Sequence, residues 1–334
     1  MAPQPPSPQN PPPPLPTSTT LPTPPTPLLD TLRRTLDHRQ TRSALRKLTI
    51  TPPTSIDFSS NDFLSLSTSS TLHSLFLHEL HPRTPSFQLG SRGSRLLDGN
   101  SVYAEELEHS IAAFHHAPTG LLFNSGFDAN AGFFACIPQA GDVVIYDEYI
   151  HASVHEGMRL SRAGACVPFA HNELAEFERV LQDKVEGDEM IRSGRRNVFV
   201  AVESVYSMDG DVAPIQGIVE VVERMLPGGN GLVVVDEAHS TGITGPGGRG
   251  VVCGLGLEAR VFARLHTFGK ALASSGAIIL CSPVTREYLF NYARPLIYTT
   301  FMSFPALAAI RVAYDFMMQG STEPVCITPT STDT

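Results

Sequence analysis

Tryptophan is absent from this 334-residue chain, and cysteine occurs only five times. The cysteines (Cys136, Cys166, Cys253, Cys281 and Cys326) are odd in number, widely spaced and form no C-x-x-C pair. That usage argues against both a disulfide framework and a zinc site, and no metal is expected. A reducing compartment fits best. The cytoplasm is the expected location, with peroxisome and mitochondrion left open. No run of about 18 apolar residues occurs, so no transmembrane helix is expected. Charge is sparse as well: Asp, Glu, Lys and Arg make up 17% and the net charge is −9. No dense Lys/Arg cluster interleaves with aromatics, which excludes a nucleic-acid groove. Residues 1–27 contain neither Lys nor Arg and lack the apolar stretch of a secretory signal.

What is present is enough to fold. Hydrophobic residues reach 42%, sufficient for one large domain and a smaller one. Residues 1–27, mostly Pro, Ser, Thr and Gln, offer too little apolar surface to offset the entropy of ordering and read as a disordered tail. The competing reading is a proline-rich ligand for a partner domain. Over 28–47, apolar residues at helical spacing (Leu29, Leu32, Leu36) among arginines predict an amphipathic helix within an N-terminal segment 28–58. The sequence SSNDFLSLS at 59–67 is a turn-rich link into a main domain spanning 59–304. A helix is expected over 305–318, within a segment 305–320, and 321–334 reads as an unstructured tail.

Within the main domain, helices are expected over 102–116 and from Ser125, and strands over 142–146, 197–203, 232–236 and 277–281. These strands are continuous apolar runs, the pattern of strands buried on both faces. Their alternation with helices predicts an α/β fold with a mostly parallel central sheet flanked by helices.

Four segments bear chemistry. In VVVDEAHSTG (233–242) an apolar strand ends in Asp236, with His239 three residues on. Open α/β sheets bind ligands at such strand ends. A pyridoxal-phosphate (PLP) ring needs a carboxylate against its pyridinium nitrogen, because the protonated ring is an electron sink. The plainer readings are an Asp capping the next turn, or an Asp–Glu pair on a metal. In LHTFGKALASSG (265–276), Lys270 sits among small residues, where burial would lower its pKa and free it to act as nucleophile and proton carrier. Thr267 is close enough along the chain to offer a hydroxyl to a phosphate. A lysine beside glycine is common; what strengthens it is an aspartate strand thirty-four residues earlier.

In LLFNSGFDANAGFFACI (121–137), Ser125, Gly126 and Phe127 open a helical pattern. A helix N-terminus with glycine suits a phosphate, although an ordinary Ser N-cap explains the pattern equally. Finally, IHASVHEG (150–157) supplies His151, whose imidazole could stack on a conjugated ring or simply be structural. ESVYSMDGDVAP (203–214) supplies Glu203, Ser207 and Asp209, and its Asp-Gly-Asp reads as a turn leading to Pro214 at the first position of a helix.

Taken in order, SSNDFLSLS, GSRGSRLLDGNS, SGFDAN, HASVHEG, ESVYSMDGD, VDEAHSTG and TFGKALASSG resemble the α-oxoamine synthases, a branch of the fold-type I PLP enzymes. The likeness covers about residues 30–318. It implies a fold-type I PLP-dependent transferase with Lys270 as the Schiff-base lysine, Asp236 on the pyridinium nitrogen and His151 stacked over the ring. His239 and Ser207 would contact the phenolic-oxygen side, and Gly126, Phe127 and Thr267 would hold the phosphate. Thr300 in LIYTTFMS matches a threonine that reaches the neighbouring subunit's phosphate, which implies a homodimer. Arg46 and Asn61 match residues near the substrate.

SNDFL, SRLLDGNS and SMDGD are most similar to the branch that condenses pimeloyl thioester with L-alanine to 8-amino-7-oxononanoate, a biotin precursor. Sibling branches make 5-aminolevulinate, 2-amino-3-oxobutyrate or 3-ketosphinganine. The substrates implied are therefore an amino acid and an acyl thioester. Another fold-type I PLP enzyme, such as an aldolase or sulfur lyase, and an inactive PLP-binding partner subunit are the competing classes. Two positions depart from the resembled pattern, Ser65 and Arg92, each standing where glycine is usual. Beyond 318 the sequence does not match the family's small domain, so that domain is expected to be largely missing and condensation weak in this form.

Overall fold

The computed structural model describes residues 26–52, 54–81 and 88–322 of the chain. The expected tails at 1–27 and 321–334 fall almost entirely outside these residues, as does Cys326. The described residues form two units, one ending at Phe58 and one beginning at Ser59. In the first, α1 (Pro27–Thr41) starts on a Thr26 cap whose hydroxyl accepts from Leu29 N–H, and it buries none of its residues. It is shorter than the 28–47 span expected, ending at Thr41 with Arg42 as its C-cap.

In the second unit, seven strands form one sheet: β1 (Thr119–Phe123), β2 (Val143–Asp147), β3 (Ala165–Phe169), β4 (Val198–Glu203), β5 (Gly231–Asp236), β6 (Ala263–Thr267) and β7 (Ala277–Cys281). The spatial order is β1-β7-β6-β5-β4-β2-β3. Strands β2 to β6 pair in parallel, whereas β7 is antiparallel to both β1 and β6. The mostly parallel sheet expected from the apolar runs is present, with the 277–281 strand reversed in direction.

The continuous apolar runs are explained by burial on both faces, because successive side chains alternate between them. Phe199 and Ala201 of β4 point into a core shared with α4 (Gly126–Cys136), α5 (Ala152–Leu160) and α10 (Pro283–Tyr292). Val198, Val200 and Val202 enter the opposite core, with α6 (Leu174–Gly187) and α8 (Ile215–Met225). Farther along that second face, Leu122, Ile278 and Leu280 pack on α3 (Val102–Phe114) and α12 (Phe304–Met318). Helices thus cover both faces, leaving the carboxyl ends of the parallel strands as the open edge.

Helix α4 lies tightly against α5: a Cβ on Gly157 would come 2.7 Å from Phe134 Cβ, so only glycine allows the approach. This crossing brings the interior of α4 next to the start of α5. Pro214 is the N-cap of α8 and the helix begins at Ile215, one residue later than expected. Among the described residues no helix is long and apolar enough to cross a membrane.

Candidate active site

Asp236 ends β5, and Leu265 of β6 stands opposite it in the parallel register. Two residues past Leu265, β6 ends at Thr267, and the chain turns sharply through Lys270 before returning as β7. The turn is held by Phe268 N–H on Gly276 O and Ser274 N–H on Phe268 O. This brings Lys270 over the carboxyl end of β5. Its pKa is lowered, first by burial; the carboxyls of Asp236 and Glu203 work in the opposite direction. Among the described residues the Lys270 amine makes no hydrogen bond and no ion pair. A half-buried amine facing carboxyls without a direct partner is suited to a ligand carrying an electrophilic carbon.

Asp236 is 7% exposed. Its Oδ1 accepts the Ala238 backbone N–H at 2.9 Å, and its Oδ2 accepts from Asn130 Nδ2 at 2.7 Å. Each oxygen keeps a second lone-pair direction, so the carboxylate can still receive a cationic N–H. The cause of its burial is the strand itself, which delivers Asp236 in register with Glu203 at the end of β4.

His151 caps α5: its Nδ1 accepts Ser153 N–H at 3.2 Å. Its ring stands edge-on to Phe127 at 6.5 Å between centroids. Burial lowers its pKa, Asp236 raises it and Lys270 lowers it again. His239, three residues past Asp236 at the end of β5, is pushed down to about 4 by burial and by Lys270 and His151. Both rings are therefore neutral near pH 7. The structure thus brings three distant segments together, with His151, the Asp236/His239 strand end and Lys270 within electrostatic range of one another.

The start of α4 borders this group. Ser125 Oγ accepts Asp128 N–H at 3.0 Å, which caps the helix. A Cβ on Gly126 would sit 3.5 Å from Thr267 Oγ1, so the helix N-terminus and the Thr267 hydroxyl converge. That hydroxyl donates to Gly276 O at 3.1 Å. The free N–H groups of the first helical turn and the positive end of the helix dipole favour an anion at this point. Asn124, just before the cap, donates to Thr300 O at 2.7 Å. Thr300 is thereby fastened beside α4, its side chain exposed.

Ser207 lies exposed on the loop after β4. That loop is anchored by Asp211, which accepts from His171 Nε2 at 2.6 Å while Asp147 takes the Nδ1 side at 2.8 Å. Burial opposes the His171 charge, but the two carboxylates outweigh it and raise its pKa. Asn61 is exposed on the segment whose Phe63 ring lies 6.0 Å from that of His239. Arg46 belongs to the first unit, where it is exposed and lies beyond α1.

Two buried polar residues were not singled out from the sequence. Asn130, 4% exposed, sits in the middle of α4, and Ser153, fully buried, sits in the first turn of α5. The signal for Asn130 was a polar side chain inside the apolar run ANAGFFACI, since a buried amide requires partners. Ser153 offered none beyond its place beside His151.

The residues present fit pyridoxal phosphate: an unpaired amine, a buried carboxylate with spare acceptor capacity, a neutral imidazole and a helix N-terminus with a hydroxyl. Comparison with known proteins agrees with this fit. The class I and II aminotransferase family matches residues 53–322. An 8-amino-7-oxononanoate synthase of Emericella nidulans is 60% identical over 296 residues, covering 89% of this chain and 72% of that protein. A protein of Aspergillus fumigatus named aminoacyl transferase sphA is 46% identical over 80% of this chain and 57% of its own length. The structure of Sphingomonas wittichii serine palmitoyltransferase superposes with a TM-score of 0.75 at 25% identity, over 88% of this chain and 74% of that one. With the family match spanning most of the sequence and a relative this similar, the chain belongs to the class I and II aminotransferase family, in its α-oxoamine synthase branch.

Proposed function

We propose that the chain is a PLP-dependent acyltransferase that condenses an amino acid, L-alanine, with a pimeloyl thioester, releasing carbon dioxide and the thiol and giving 8-amino-7-oxononanoate. The observation that supports this most directly is the partnerless, half-buried Lys270 amine facing Asp236 and Glu203. When bound, pyridoxal phosphate supplies an electron sink for the carbanion formed at the amino acid's α-carbon.

The rest is the work of this chain's residues. The N–H groups of Gly126 and Phe127, with the Thr267 hydroxyl, hold the phosphate, and Asp236 holds the ring nitrogen protonated. His151 packs on the ring face, and His239 and Ser207 address its phenolic oxygen. Lys270 would hold the cofactor, and its amine, once free, would be the base placed to take the α-proton. Burial favours the neutral amine that such a base requires. Thr300, exposed beside α4, would reach the phosphate site of a second copy, which makes the working form a homodimer. Asn61 borders the substrate.

A sphingoid-base reaction, L-serine with a long-chain acyl thioester, is the second reading, favoured by the likeness to serine palmitoyltransferase. Thiol release measured with L-alanine or L-serine against pimeloyl-CoA or palmitoyl-CoA separates the two. Release with alanine and pimeloyl-CoA alone supports the first reading; release with serine and palmitoyl-CoA alone replaces it.

A further inference from the structure

A continuous line of hydrogen bonds joins Asp236 to His151, buried from Asp236 to Ser153 and part-buried at the His151 end. The Asn130 amide nitrogen donates one hydrogen to Asp236 Oδ2 at 2.7 Å and the other to Ser153 Oγ at 3.0 Å. Ser153 Oγ lies 2.7 Å from His151 Nδ1. The direction of that last bond follows from its neighbours. Nδ1 already accepts the Ser153 backbone N–H, so it carries no proton, and the Ser153 hydroxyl must donate to it. The imidazole proton then resides on Nε2.

We infer that Asn130 and Ser153 are positioning residues that hold His151 as the neutral Nε2–H tautomer while orienting Asp236 as a hydrogen-bond acceptor. A proton placed on Nδ1 would confront two donors, the Ser153 hydroxyl and N–H, so the charged ring is disfavoured. Other groups face His151 as well: Asp236 favours its charge, Lys270 and His239 oppose it, and its backbone N–H is bonded to the Glu203 carboxyl. The function of the relay rests on the reading of these residues as a PLP site. An imidazolium over the ring would repel the protonated pyridinium that Asp236 stabilises, weakening the electron sink. A neutral imidazole stacks without that repulsion. Helix α4 supplies the amide and helix α5 the hydroxyl, so their close crossing at Gly157 is what sets the length of the relay.

The test is nitrogen NMR of 15N-histidine-labelled protein, with His151 assigned by its loss in His151→Gln. The expected spectrum has an unprotonated, hydrogen-bonded Nδ1 and a protonated Nε2. Ser153→Ala should raise the His151 midpoint by about half to one pH unit, a three- to tenfold change in its protonation constant. Ser153→Thr, which keeps the hydroxyl, should restore it. Asn130→Ala should move the same midpoint although it does not touch His151. With PLP added, the acid limb of alanine α-proton exchange should shift upward in Ser153→Ala by the same amount. A protonated Nδ1 in the unaltered protein, or an unmoved midpoint in Ser153→Ala, would overturn the relay. The nitrogen spectra do not depend on the cofactor, so failure to bind PLP with the tautomer intact would remove the cofactor reading and leave the relay standing.

Discussion

Glu203 and Asp236 stand opposite each other in the β4–β5 register, both at the carboxyl ends of parallel strands and 4% and 7% exposed respectively. Two buried carboxyls so close do not both ionise readily. Burial first, and Asp236 second, push Glu203 up to about 8, against the opposing influence of Lys270 and the His151 N–H. Glu203 is therefore mostly protonated at pH 7.

Stability should register this proton. The folded chain retains it up to about pH 8, whereas the unfolded chain releases it near pH 4.5. The Glu203 contribution is thus complete below about pH 4.5 and is lost as pH rises through 8. Glu203→Gln cannot titrate, so its melting temperature should fall less than that of the unaltered protein between pH 5 and pH 9. Parallel curves for the two proteins would refute the assignment.

Lys270→Ala should bind PLP without a covalent link. Borohydride reduction followed by peptide mapping is expected to label Lys270 in the unaltered protein and nothing in the variant. Alanine α-proton exchange should fall by about 10²- to 10⁴-fold, the usual worth of a positioned general base. Labelling of another lysine in the variant would move the site.

Asp236→Asn removes the charge opposite the ring nitrogen. An ion pair at about 4 Å and an effective dielectric near 20 is worth roughly 4 kcal/mol, or about a thousandfold. Alanine α-proton exchange should drop by about that factor, with weaker PLP binding by absorbance titration. Unchanged exchange would rule out the electron-sink role of Asp236.

Away from Lys270, the fully buried His115 and His266 rings lie tilted, 4.0 Å between centroids, beside Arg264. Burial, reinforced by Arg264, lowers His115 to about 3, and burial with His115 lowers His266. Both are neutral in the fold and take up protons on unfolding below pH 6.5. Their stabilisation is present above about pH 6.5 and declines as pH falls toward 3. Urea midpoints should decrease steadily over that window, and less steeply in His115→Gln.

Ser65 has φ of 53°, in the left-handed region, and its side chain makes no hydrogen bond among the described residues. This is the conformation that explains why glycine is usual there in the resembled pattern. Ser65→Gly should stabilise by up to about 1 kcal/mol, because the Cβ strain removed exceeds the added backbone entropy. A melting temperature higher by about 2–4 °C would show it. Arg92, with φ of 70°, stands in the same situation in its own loop.

How far the sequence could be read depended on what each strand is buried against. Strands β2, β4, β5 and β7 were legible because their apolar runs have no other use. Strand β6, ARLHT, was not, since Arg264 and His266 read as surface residues. They are buried because Arg264 donates to His115 O and to Cys253 Sγ, and His266 Nδ1 meets the Thr241 hydroxyl. Strand β3 contains Pro168, tolerated because β3 pairs only with β2 at the sheet edge. The short β1 follows Pro118 directly and gave no strand pattern of its own.

The sequence alone determined the α/β class, the positions of Asp236 and Lys270, and the helix start at Ser125. Those features are local: a run of apolar residues, a strand-end carboxylate, a capped first turn. Only the tertiary structure decided which groups meet, because those contacts join distant segments. Asn130 and Asp236 are 106 residues apart, and Asn130 and Ser153 are 23 apart. Neither pair has a local pattern, since a buried amide specifies that it needs partners but not which ones. The reversed direction of β7 was likewise undecided by its apolar run. A strand buried on both faces reads the same in either direction, and its orientation follows from the short turn through Lys270 that returns the chain beside β6.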